Sequence, residues 1–480
     1  MSACREHIYN LLQKSLLKKD LSGARRAHFL MVSHGLDSVS VLCDHLIRLF
    51  SLCGKLFEAT LVFCNVSQPS SFTWQAFIYA HVVVGENNRA IQLYHAMQAN
   101  SDCTETSKFV LSCVLKACGS LPDLERGREL HSEIIVKGFE MDPFVSSTLI
   151  DMYTKCWSLS EATWIFEKSS DQNIVSCNAL LMGYTEQGYS EDALNCFRKM
   201  QQILLPNTIS FSLVLKALGI IQALNEGWEI HTDIVCKGFE DDHFVGNSLV
   251  DLYAKCGSMF ESQHVFTTLC SYTVVSWTAL ISGYTDNGFG EEAILSFHRM
   301  VSEGIYPNEV TYFSTLKACA IVEDLFSGEE LHAEIAQEGL ENDCSVGSTL
   351  VDMYAKCGAL VEAQGVFDEL IRKDVVSWTA LIAGYTNHGM EEEALSCLKQ
   401  MQVEGVPPDA ITLLFILKAC GNMGDIDQGQ EIHAQVIKGG YEHDLCLSNA
   451  LIDMYAKNGF LTDAQGIFNN LAQQDAVSWT

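Results

Sequence analysis

The chain has 480 residues, 48% of them apolar, and 30 basic against 60 acidic side chains give a formal net charge of −30. That length excludes a single compact core, no apolar run reaches the roughly 18 residues of a membrane span, and the acidity taken alone argues against a nucleic-acid partner. The 19 cysteines, an odd number, contain no Cys-x-x-Cys pair, which removes the commonest zinc spacing.

The opening residues, Met1-Ser2-Ala3-Cys4-Arg5-Glu6, form neither a signal-peptide apolar region nor an Arg/Ser-rich transit segment. Any targeting peptide is therefore expected to lie outside this chain, and residues 1–4 are read as a short leader. A long period then takes over. Ser71-Phe72-Thr73-Trp74-Gln75, Ile174-Val175-Ser176-Cys177-Asn178, Val274-Val275-Ser276-Trp277-Thr278, Val375-Val376-Ser377-Trp378-Thr379 and Ala476-Val477-Ser478-Trp479-Thr480 sit at one phase, and Trp277, Trp378 and Trp479 are 101 residues apart. A fixed long period means stacked units rather than one globule. Cys53, Cys156, Cys256 and Cys357 share one repeat position and Cys118, Cys319 and Cys420 another, too far apart for disulfides. They read as small buried apolar residues in a reducing compartment.

The period divides into helical hairpins. In 274–308, Val274, Trp277, Leu280, Ile281 and Tyr284 make one helix face, Asn287-Gly288 is a turn, and Glu291 and Glu292 suit the positive end of a second helix. Ala293, Ile294, Phe297 and Met300 form its apolar stripe. The same phasing tiles the chain into fourteen units: 5–39, 40–70, 71–107, 108–142, 143–173, 174–207, 208–242, 243–273, 274–308, 309–343, 344–374, 375–409, 410–444 and 445–475. A fifteenth begins at 476 and is cut off, which reads as a fragment or a truncated product. Every unit of the 5–39 class carries histidine at its twenty-fourth position: His28, His131, His231, His332 and His433.

Val-Val-Ser-Trp-Thr-Ala-Leu-Ile at 274–281 and 375–382, Asp-Met-Tyr-Ala-Lys-Cys-Gly at 352–358, Leu-Lys-Ala-Cys at 417–420 and Glu-Leu-His at 129–131 resemble the pentatricopeptide-repeat family, in its plant organellar branch of alternating repeat lengths. The resemblance covers residues 5–480. It implies an all-α, right-handed α-solenoid superhelix akin to tetratricopeptide scaffolds, with the first helix of each unit lining a groove. It also implies single-stranded RNA as partner, one nucleotide per unit, no enzymatic activity of the chain itself, no cofactor and no membrane.

In the triplet 309–409 the first thirteen residues of the three units carry no net charge and the remainders carry −14. The acidity belongs to second helices and loops, where a Debye length of about 8 Å screens it from the groove. Lys155, Lys255, Lys356 and Lys457 recur at position 13 of the 31-residue units, either as cations favoured at a helix C-terminus or, as the resemblance implies, as phosphate contacts. Lys116, Lys216, Lys317 and Lys418 read as solvated surface.

The resemblance places base reading at position 5 and at the last residue of each unit, with position 2 clamping the base. The clamps include Val175, Phe244, Val275, Val310, Val376 and Ile411. The reading pairs are Ser147/Asn173, Asn178/Asn207, Asn247/Thr273, Thr278/Asn308, Ser348/Asp374, Thr379/Asp409 and Asn449/Asp475. The family's code gives, in order, A, pyrimidine, no clear base, weak pyrimidine, A, no clear base, G, G, no clear base and U. The histidine-class units are the unclear ones: Ser112/Asp142 and Ser212/Asp242 look like readers, but Phe313 and Leu414 cannot hydrogen-bond a base edge. Asp44/Ser70 and Gln75/Ser107 depart from the code.

His131-Ser132-Glu133 and His332-Ala333-Glu334 match half of a zinc-deaminase signature, but the Pro-Cys-x-x-Cys half is missing, so both histidines read as packing and no catalytic or metal residue is assigned. The expected role is a specificity factor for C-to-U editing of transcripts in the mitochondrion or plastid, with a deaminase or editing-complex protein acting in trans. A transcript stability or processing factor and a protein-interaction scaffold are the alternatives.

Overall fold

The computed structural model describes residues 2–66, 68–99, 106–169, 172–341 and 343–471. Among them the regular elements are α-helices, and they come in pairs. Asp475 and the start of the fifteenth unit lie outside the described residues.

One compact unit spans Met1–Ser248 and a second spans Leu249–Thr480. In the first the pairs are α1 (Ser2–Lys18) with α2 (Leu21–Ser33), α3 (Ser40–Leu52) with α4 (Leu56–Cys64), α5 (Ser71–Val84) with α6 (Asn87–Ala99), α7 (Lys108–Ser120) with α8 (Leu124–Val136), α9 (Pro143–Lys155) with α10 (Leu159–Lys168), α11 (Ile174–Glu186) with α12 (Ser190–Ile203), and α13 (Thr208–Ile220) with α14 (Leu224–Cys236). Helix α15 (His243–Lys255) crosses the boundary. The second unit continues with α16 (Met259–Thr268), α17 (Val274–Asp286), α18 (Gly290–Ser302), α19 (Glu309–Val322), α20 (Leu325–Glu338), α21 (Cys344–Lys356), α22 (Leu360–Glu369), α23 (Val375–Asn387), α24 (Glu391–Val403), α25 (Ala410–Met423), α26 (Ile426–Lys438), α27 (Leu445–Lys457) and α28 (Leu461–Asn470).

Within each unit the first helices of successive pairs pack directly on one another, as α3 does on α5 and α21 on α23. Each second helix wedges between its own first helix and the next, as α18 does between α17 and α19. The sequence explains both contacts. Gly283 and Gly384 let first helices approach closely: a Cβ there would sit 2.5 Å from the Ala254 Cβ and 2.6 Å from the Ala355 Cβ. Trp277 and Trp378 are fully buried and meet Phe266 and Phe367 of the preceding second helix edge-on, at 4.6 and 4.5 Å between ring centroids. Such aromatic pairs add about 0.5–1.5 kcal/mol beyond their burial, and they tie consecutive units together.

The recurring histidine is part of the same masonry. His131, His332 and His433 share hydrogen bonds of 2.9, 2.9 and 3.0 Å with the hydroxyls of Tyr153, Tyr354 and Tyr455 in the next unit. His28 meets Phe50 edge-on at the equivalent place. The two histidines of the half-signature for zinc thus bond to tyrosine, and no metal-binding group of His, Cys, Asp and Glu occurs among the described residues. Of the phased cysteines, Cys118, Cys156, Cys319 and Cys420 are buried, whereas Cys53, Cys256 and Cys357 are half-buried.

Candidate nucleic-acid interface

A helix leaves its first backbone N–H groups without partners, and Asn, Asp, Ser or Thr just before it can accept from them. The residue before each first helix from α5 onward is of this kind, whereas Val39 before α3 makes no such bond. Asn173 takes the amides of Val175 and Ser176 at 2.9 and 3.0 Å, Asn207 that of Ser210 at 3.0 Å, and Asn308 that of Thr311 at 2.9 Å. Thr273 takes that of Ser276 at 3.3 Å, Asp374 that of Ser377 at 2.9 Å, and Asp409 that of Thr412 at 2.8 Å. These caps are the last residues of six of the proposed reading pairs, so the fold already holds one member of each of those six by its backbone bonds.

The cap also sets what the side chain offers beyond the helix. An Asn must turn its carbonyl oxygen to the amide N–H groups, which leaves its NH2 as a donor; an Asp leaves its second oxygen as an acceptor. Burial acts to raise the Asp374 pKa, but bonds from the Ser377 amide, Cys344, the Ser377 hydroxyl and Ser348 outweigh it and hold the carboxyl below its usual range. A hydrogen bond from Lys108, at 2.6 Å, does the same for Asp142.

The structure brings position 5 to the cap in two ways. In the 31-residue units the contact is direct: Asn173 donates to Ser147 Oγ at 3.2 Å, and Ser348 Oγ donates to Asp374 Oδ1 at 3.3 Å. In 274–308 and 375–409 a hydroxyl from the following helix stands between the two, and in 174–207 such a hydroxyl adds to a direct bond from Asn178 Nδ2 to Asn207 Oδ1 at 3.2 Å; in 71–107 Ser107 Oγ donates directly to Gln75 Oε1 at 3.4 Å. Ser210 Oγ lies 2.7 Å from Asn178 Oδ1 and 2.9 Å from Asn207 Oδ1, its single proton shared between the two acceptors. Thr311 Oγ1 is 2.7 Å from Thr278 Oγ1 and 2.8 Å from Asn308 Oδ1, and Thr412 Oγ1 is 2.6 Å from Thr379 Oγ1 and 2.7 Å from Asp409 Oδ1. Asn247 lies on α15 and Thr273 beyond the unit boundary, so that pair is not described as one. Asn449 lies on α27, and its partner Asp475 is outside the described residues.

Next to these pairs lie exposed apolar side chains. Val175, Phe244, Val275, Val310, Val376 and Ile411 are 55–63% exposed, a costly placement for apolar groups unless something covers them. Sequence reasoning passed over Val41, Phe72, Phe109, Phe144 and Ile209, which are exposed at the same register position; counting two from each unit start finds them. In the second unit a cavity of about 790 Å³ is lined by Ser348, Thr379, Asp409, Val376, Ile411 and Lys356, among others. In the first unit a cavity of about 450 Å³ is lined by Phe72, Phe109, Phe144, Gln75, Ser112 and Lys116, among others.

Position 13 is less cationic than its lysines suggest. Lys155, Lys255, Lys356 and Lys457 pair with Asp151, Asp251, Asp352 and Asp453 one turn earlier, at 2.7–2.9 Å. Lys317 pairs with Asp286 at 2.8 Å, and Lys116 lies over the Phe144 ring.

Comparison with known proteins bears on this surface. Profiles described as PPR repeat family match residues 273–321 and 373–422, a pentatricopeptide repeat domain profile matches 166–220, and a PPR repeat profile matches 144–174, 348–375 and 447–473. A chloroplastic pentatricopeptide repeat-containing protein of Arabidopsis thaliana is 33% identical over 456 residues, covering 95% of this chain and 74% of its own length. A second chloroplastic one is 34% identical over 434 residues, covering 90% of this chain and 50% of its own. A mitochondrial one is 31% identical, and 44% of its length is covered. The chain thus spans about half the length of several relatives. A crystal structure of a maize pentatricopeptide repeat protein superposes with a TM-score of 0.50 at 18% identity, covering 98% of this chain and 74% of that one, a likeness of fold.

Proposed function

The chain belongs to the pentatricopeptide-repeat family, and from that premise we propose that it binds single-stranded RNA in an organelle, one nucleotide per helical hairpin. The fourteen units set out from the sequence are the reading frame. The observation that carries the proposal is the capped reading pair: side chains with fixed donor or acceptor character, set beside exposed apolar residues at a cavity.

The chemistry of base edges supports the code. A donor such as the Asn308 NH2 suits the ring nitrogen acceptor on the Watson–Crick edge of A or C, and an acceptor such as the Asp409 oxygen suits the ring N–H of G or U. Position 5 then separates purine from pyrimidine. Exposed Val275, Val376 and Ile411 cover the base faces, and Lys155, Lys255, Lys356 and Lys457 face the phosphates, weakly because each is already paired. The proposed role is specificity in C-to-U editing, the deaminase being supplied by a partner or by a segment outside this chain. No catalytic step is assigned to these residues.

Selection from a randomised single-stranded RNA pool at two salt concentrations tests the reading. Enrichment of A, G, G and U at the expected spacing is the predicted outcome, with the second G lost on Thr379→Asn. Binding without a motif would leave a nonspecific groove, and no binding at either salt would favour a protein scaffold.

A further inference from the structure

The hydroxyls that bridge the reading pairs all sit at the same place. Ser210, Thr311 and Thr412 are the third residues of 208–242, 309–343 and 410–444, units of the histidine class. Each bonds both readers of the unit before it, and its own amide bonds the cap. All three are buried, so water does not compete for these bonds.

The histidine-class units lack this support for their own pairs. The third residue of the unit that follows them is apolar and buried: Val145, Val245, Val346 and Leu447. There the capping carboxylate accepts from backbone amides alone or turns aside. Asp142 takes the amides of Phe144 and Val145 and bonds Lys108; Asp242 takes the amides of Phe244 and Val245. The Oγ atoms of Ser112 and Ser212, at position 5, are buried with no hydrogen-bond partner. These are the units whose base was unclear from the sequence.

Resting on the RNA-reading proposal, we propose that the histidine-class units 208–242, 309–343 and 410–444 act as positioning elements: the hydroxyl at their third residue sets the base discrimination of the unit before, whereas 108–142 carries the apolar Val110 at that place. The physical reason is preorganisation. A reader without this bond has only its own helix to hold it, whereas one bonded to a buried hydroxyl, itself bonded to the capping side chain, has the directions left open to a base fixed before RNA arrives. A wrong base then loses its bond without the reader turning to repair it. The repeat thus reads with three residues, one of them supplied by its neighbour.

The test uses the full chain with Thr412→Val, which keeps the shape and the capped amide but removes the hydroxyl, and Thr412→Ser, which restores it. Affinities are measured for four RNAs differing only at the nucleotide facing unit 375–409. The expected result is a roughly tenfold fall in preference for G with Val, recovery with Ser, and unchanged preference at the neighbouring nucleotides. A general loss of folding or packing would not be confined to one nucleotide. Thr311→Val, read at the nucleotide facing unit 274–308, provides an independent second site if Thr412→Val does not fold. Wild-type discrimination retained in the Val variants overturns the positioning role and leaves the reading intact. A wild-type protein that binds with no base preference at either nucleotide overturns both.

Discussion

At the scale of the residue, one side chain serves two purposes. Asp409 caps α25 through one carboxylate oxygen and is among the residues lining the cavity. Asp409→Asn keeps the cap, so the melting temperature should hold, while the offered atom changes from acceptor to donor and the preferred base from G to A. The preference should move by ten- to a hundredfold, measured by competition between the two RNAs. Asp409→Ala should lose both, at a cost of about 1 kcal/mol in unfolding free energy. The pair came from the family resemblance, which the repeat register carries onto Thr379 and Asp409. That they are joined through Thr412 did not, since the joining residue belongs to the next unit and has no place in a two-residue code. Nor did register show that Lys356 is answered by Asp352, although a spacing of four on one helix contains that contact.

At the scale of the element, the helix pairs were legible because apolar periodicity, turn dipeptides and acidic first turns agree locally. The departures are where strain collects. Gly54, Gly257, Gly358 and Gly459 end their helices in the left-handed region, and Trp157 occupies the same position with φ 62°. A bulky residue pays about 1–2 kcal/mol there, and its ring is 70% exposed, so Trp157→Gly should stabilise the protein by about 1 kcal/mol in chemical denaturation. Gly384→Ala should act the other way. The added methyl meets Ala355, which cannot rotate aside, and overpacking of that kind costs about 1–3 kcal/mol. The histidines add a pH dependence: burial lowers the pKa of His28, His131 and His433, against nearby acids that raise it. The fold favours their neutral form, so their contribution is complete above the unfolded value of about 6.5 and is lost as pH falls below it. Melting temperature should decline from pH 7 to pH 5.5, less steeply in a His131→Gln, His433→Gln double variant.

At the scale of the whole molecule, the question is how a chain of net charge −30 would hold a polyanion. The acidity was assigned from the sequence to second helices and loops, but the position-13 lysines of the first helices are themselves paired with acids. Attraction to phosphate should therefore be small, and the logarithm of affinity should fall with the logarithm of salt less steeply than the lysine count implies. Asp352→Asn releases Lys356 and should raise affinity several-fold at low salt while steepening that slope, with base preference unchanged. Titration at three ionic strengths checks it.

The capping of first helices by the proposed reading residues has a consequence for how such a chain changes over generations. The side chains that read well are drawn from those that cap well, so the two demands rarely conflict. Asn and Asp codons differ by a single transition, and both residues cap about equally. On the proposed reading, one nucleotide change in the gene would therefore retarget one unit without crossing a poorly folded intermediate. Specificity can drift with its transcript while stability stays under separate selection.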